Sequence, residues 1–89
     1  MLTLPAILTH DPVAGLAARL KALVAEQPAQ VVADASALQA FDSSALALLL
    51  ACRREAVSAG KEFSVLNLPE RLRRLAGLYG VEELIPEAR

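Results

Sequence analysis

Apolar and polar positions change period along this chain, and the changes mark out its elements. Residues 2–9 carry Thr3, Ile7 and Thr9 and read as a short strand, which Pro5 makes an edge or irregular one. After His10, Asp11 and Pro12 open a helix, with Asp11 as N-cap and Pro12 at the first helical position, where a missing N–H costs nothing. Leu16, Leu20, Leu23 and Val24 give it an apolar stripe to about residue 26, Arg19 and Lys21 lie off the stripe, and Pro28 stops it. Residues 30–35, around Val31 and Val32, form a second strand with Asp34 near its carboxyl end. A loop over 36–41 leads into a second helix reaching about residue 59, ended by Gly60. Residues 63–68 form a third strand, Pro69 opens a third helix through about Tyr79, and Gly80 stops it. Residues 81–85 read as a last short strand or turn, and 86–89 as a frayed tail. Strands alternating with helices predict an α/β fold with parallel pairings and right-handed crossovers.

The start of the second helix breaks the ordinary pattern. Asp42, Ser43 and Ser44 stand directly ahead of eight consecutive apolar residues, Ala45 to Cys52. A carboxylate or hydroxyl there satisfies amide N–H groups that the first turn cannot bond itself. A surface helix is apolar along one stripe only, whereas this one is apolar all round for two turns. The expectation is a helix start too apolar for a small domain to bury, offered to a partner protein with Ser43 and Ser44 at its centre. Leu46, Leu49 and Leu50 share one side at helical spacing and are expected on the sheet. Ala45, Leu48 and Cys52 share another, and the Ala45 and Leu48 side is expected to be the more exposed.

Composition narrows the classes. The 89 residues suffice for one domain, spanning 1–89, and not for two. With 55% hydrophobic and 3% aromatic residues and no Trp, the core must be aliphatic. A net charge of −1 argues against a nucleic-acid partner. The single Cys52 excludes an internal disulfide and fits a reducing cytoplasm. No segment is long and apolar enough for direct membrane insertion, and the first residues lack the features of a signal peptide. One His, one Cys and scattered carboxylates supply no base beside a nucleophile and no metal-ligand spacing. The four glycines are scattered and form no phosphate loop. An enzyme is the weakest class; no catalytic residue, metal or cofactor is assigned.

Two spaced signatures carry a resemblance. Val31-Val32-Ala33-Asp34-Ala35-Ser36 is a strand ending in Asp-x-Ser, and Phe41-Asp42-Ser43-Ser44-Ala45-Leu46 begins the following helix. Together with the element order they resemble the STAS domain (sulphate transporter and anti-sigma factor antagonist) over nearly the whole chain. That resemblance implies a single STAS-like domain, with a short, mixed or mostly parallel sheet and helices packed mainly on one face. The chain departs from the family pattern at Ala45, where many members have Gly, and in its short N-terminus. The stretch from Ser44 to Arg54 is most similar to the small STAS subunit of the bacterial Mla phospholipid-transport ABC system. This branch implies a non-catalytic cytoplasmic subunit, peripheral at the inner membrane through its partner, that binds the ATPase of the transporter. The alternative is an anti-sigma factor antagonist, paired with an anti-sigma factor kinase and switched by phosphorylation at Ser43, the family's phospho-acceptor position. Asp42, Ser43, Ser44, Ala45 and Leu48 are the candidate partner contacts.

Each candidate also has a purely structural explanation. Asp42 and Ser43 suit helix capping, and Asp34 and Ser36 suit a turn. His10 reads as a surface turn residue, Cys52 as a small core residue and Tyr79 as packing at a helix end. Arg53 and Arg54 suit the C-terminal half of a helix. Arg71 and Arg74, one turn apart, read as a solvated face, with an acidic partner patch as the sharper alternative.

Overall fold

A computed structural model describes residues 1–88. Three strands, β1 (Leu2–Thr3), β3 (Gln30–Asp34) and β5 (Glu62–Leu66), form one sheet in the order β1-β3-β5. Two more, β2 (Ile7–Leu8) and β4 (Ala40–Phe41), pair as a separate ribbon. Every pairing among the described residues is parallel. The register places Leu2 beside Ala33, Ala33 beside Val65 and Val31 beside Phe63, and all five side chains are buried. The alternate residues Thr3, Val32, Asp34, Ser64 and Leu66 are exposed or half-buried, so the helices cover one face of the sheet.

The strand expected over residues 2–9 breaks in two at Pro5, which has no N–H to donate to a ladder. The first helix also divides, into α1 (His10–Ala17) and α2 (Leu20–Ala25). Its N-cap is Thr9 rather than Asp11, which puts Pro12 third in the helix, still among the positions with free N–H groups. The break at Ala18 and Arg19 separates an α1 with no buried residue from an α2 whose Leu20 and Val24 are buried.

The second helix, α3 (Ser43–Ser58), is the centre of the core and packs on α1, α2, β5 and α4 (Glu70–Leu78). It ends as expected: Gly60 takes φ +73°, Lys61 N donates to Ala56 O at 2.8 Å, and Gly60 N donates to Val57 O at 3.0 Å. The Lys61 ammonium then donates to Val24 O (2.9 Å), Ala25 O (3.3 Å) and Gln27 O (2.6 Å), closing the C-terminal end of α2. Gly80 ends α4 in the same way, at φ +71°.

Beyond α4, residues 81–85, read as a short strand or turn, take the turn: a 3₁₀ turn over Glu82–Leu84. Residues 86–88 are not a frayed tail. Val65 N donates to Pro86 O and Ala88 N donates to Val65 O, both at 2.8 Å, so this segment lies along the outer edge of β5. Ile85, just before it, is fully buried.

Candidate functional site

The carboxyl end of the sheet gathers the candidate residues. Asp34 ends β3 and lies beside Leu66, the end of β5, so the loops after both strands leave side by side. Ala35 N donates to Leu66 O at 2.9 Å, and the next residue on the β5 side, Asn67, takes φ +57°, a conformation Asn tolerates better than most residues. Asp34 Oδ1 accepts from Ser36 N at 3.0 Å. That bond, with a second from the Ser36 hydroxyl, holds the Asp34 carboxyl below the usual carboxylate range. Turn chemistry accounts for both residues.

From Ser36 the chain passes buried Leu38 and reaches β4, where Gln39 N and Ala40 N both donate to Ala6 O (2.8 and 3.0 Å). The β2–β4 ribbon therefore sets the point at which α3 begins. Asp42 is its N-cap, and its Oδ1 accepts from Ser44 N at 2.8 Å. Ser43, the first helical residue, is exposed, and Ser44 is half-buried. From Ser43 an exposed stripe continues at helical spacing through Ala47 and Arg54.

Two of the expected contacts lie elsewhere. Ala45 is fully buried and Leu48 is 2% exposed, so neither reaches a partner in this conformation. The Ala45 and Leu48 side and the Leu46 and Leu49 side both belong to one broad inward face, because α3 packs against α1, α2, α4 and β5. Ala45, at the family's glycine position, likewise faces inward. Cys52 shares that inward face, where burial pushes its thiol up to about 11.

The structure adds a residue pair that sequence reasoning missed. The Arg71 guanidinium, in the first turn of α4, lies 5.2 Å from the centre of the Phe41 ring. Arg71 is exposed and Phe41 half-buried, so a fixed cation stands one residue from Asp42. Thirty positions separate the two in sequence, and no local pattern signals the contact. Arg74, read as its companion, pairs with Glu70 at 3.3 Å instead. Tyr79, read as a packing residue, is 60% exposed.

No cluster of three or more metal-ligating side chains occurs among the described residues, and no helix among them is long and apolar enough to cross a membrane. A cleft of about 490 Å³ opens between the end of β1 and α1, where its charged lining is Asp11 and Arg19. What the site does present is a surface: an exposed serine at a capped helix start, flanked by a stacked arginine.

This fold, with its Asp-x-Ser turn and its Asp-Ser-Ser helix start, defines a STAS domain, and the chain belongs to that family. The family model that matches is described as "Mlab, STAS domain" and covers residues 1–86. No curated protein matches the chain.

Proposed function

We propose that this protein is a non-catalytic STAS subunit that binds the ATPase of an Mla-type phospholipid-transport ABC complex, the kind that maintains lipid asymmetry of the outer membrane. It works in the cytoplasm and reaches the inner membrane only through that partner. The observation that carries the reading is Ser43, exposed as the first residue of α3 at the head of an open stripe. Small side chains at Ser43, Ser44 and Ala47 let a partner surface come close, while Phe41 and Arg71 supply an apolar plane and a cation at the rim. The description of the matching family supports the choice of transporter.

A second reading rests on the same residue. A phosphate on Ser43 would meet the positive dipole end of α3, which favours an anion. It would also place charge beside Asp42 in the contact and expel the partner, as an anti-sigma factor antagonist requires.

Co-purification separates these readings. Tagged protein from native extract is expected to bring down an ABC ATPase, and Ser43→Glu is expected to weaken capture about tenfold or more with the far-UV spectrum unchanged. Undiminished capture by folded Ser43→Glu would move the interface elsewhere. Capture of an anti-sigma factor kinase would favour the switch. ATP or GTP hydrolysis by the isolated domain, above that of an Asp42→Ala/Ser43→Ala control, would revive the enzyme class.

A further inference from the structure

Two patches of opposite charge stand side by side at the far end of α3 from Ser43. In the first, Leu50, Arg53, Arg54 and Val57 line an open groove of about 310 Å³ together with Leu84 of the 3₁₀ turn. Its floor is aliphatic, with Val57 56% exposed, and its charged lining is the two arginines. The second patch runs from the end of α4 into the 3₁₀ turn. Leu78 is 84% and Tyr79 60% exposed, and Glu82 and Glu83 beyond them are exposed as well. Among the described residues, none of these two arginines and two glutamates takes part in an ion pair.

We propose that this groove receives the Leu78, Tyr79, Glu82 and Glu83 knob of a second copy of this chain. Each half supplies what the other lacks: large apolar side chains for an aliphatic floor, and two carboxylates for two free guanidiniums, which bind carboxylates in fixed geometry. The halves adjoin on one molecule, since Leu84 lines the groove and directly follows Glu82 and Glu83. A two-fold axis beside Leu84 therefore seats each knob in the other copy's groove, giving a closed, isologous contact. The groove shares Arg54 with the stripe that begins at Ser43, but its nearest lining residue on α3, Leu50, lies roughly 10 Å along the helix from Ser43 at 1.5 Å per residue, so pairing leaves Ser43 itself open. The inference is independent of the transporter reading. A contact of one groove and one knob from each copy belongs to the weak class of interfaces.

Sedimentation equilibrium of the purified protein, from low micromolar to near-millimolar concentration, tests the pairing. The unmodified chain is expected to shift reversibly from monomer to dimer. Arg53→Glu/Arg54→Glu makes groove and knob both acidic, and Glu82→Arg/Glu83→Arg makes both basic. Each variant alone is expected to weaken association by at least about tenfold, because like charges then face each other. An equimolar mixture of the two is expected to restore a dimer, since both contacts in the mixed pair are complementary. A chain that stays monomeric throughout, a dimer that persists in either variant, or variants that fail to associate when mixed would overturn the proposal. So would a monomer whose Arg53 and Arg54 drive its co-sedimentation with phosphatidylglycerol vesicles but not with phosphatidylcholine ones, which would assign the groove to an anionic lipid surface.

Discussion

Cys52 illustrates how surroundings decide a residue's chemistry. It lies 2% exposed among aliphatic side chains, and with its thiol raised to about 11 almost no thiolate forms near neutrality. A disulfide reagent at pH 7 to 8 is therefore expected to label the native protein far more slowly than the denatured chain. Equal rates in both states would mean that the α3 face carrying Cys52 opens readily. Ser43 shows the opposite case: an ordinary hydroxyl made conspicuous by exposure at a helix start. Sequence placed Cys52 in the core and Ser43 at the start of a helix, each for a local reason. Asp42 caps through a bond to its second neighbour, and Cys52 sits inside an apolar run. Arg71 was legible only as a member of a charged helix, because its contact with Phe41 needs two elements brought together.

At the scale of elements, α3 departs furthest from expectation. The reading from spacing divided its leucines between the sheet and a partner, yet Leu48 and Leu49 are 2% and 1% exposed. Periodicity locates side chains around a helix, and how much of that circumference is covered depends on its neighbours. Leu49→Ala and Leu48→Ala are accordingly expected to cost about 2–5 kcal/mol each in chemical denaturation. A loss well under 1 kcal/mol at Leu48 would restore it to the surface. The end of α2 supplies a second case. Sequence offered Pro28 as the stop, but the Lys61 ammonium, arriving from the turn after α3, satisfies the last carbonyls. Lys61→Met keeps the aliphatic stem and removes the donors, and is expected to lower stability by about 1–3 kcal/mol. An unchanged denaturation midpoint would show that water replaces the ammonium at no cost.

Across the whole molecule, the last residues matter more than their composition suggests. Ile85 is fully buried, residues 86–88 bond along β5, and Arg73 Nε lies 3.5 Å from the Glu87 carboxylate. This segment closes one side of the core and protects the β5 edge, which would otherwise present unpaired backbone groups. Ile85→Ala is expected to cost about 2–5 kcal/mol, measured by the same denaturation. A tail without a structural role would leave stability unchanged.

Local interactions explain what the sequence determined by itself. The order of strands and helices follows from the local period of apolar positions, and the Asp42 cap and the Gly60 and Gly80 stops from bonds within a few residues. They were sufficient to identify the α/β class, the family pattern and Ser43 as the exposed head of α3. Only the tertiary structure decided which sides of α3 face inward, because that depends on α1, α2, α4 and β5 arriving around it. The same holds for the division of the first helix, the docking of residues 86–88 and the placing of Arg71 on Phe41. Each joins residues far apart in sequence, and long-range packing leaves no mark in local spacing.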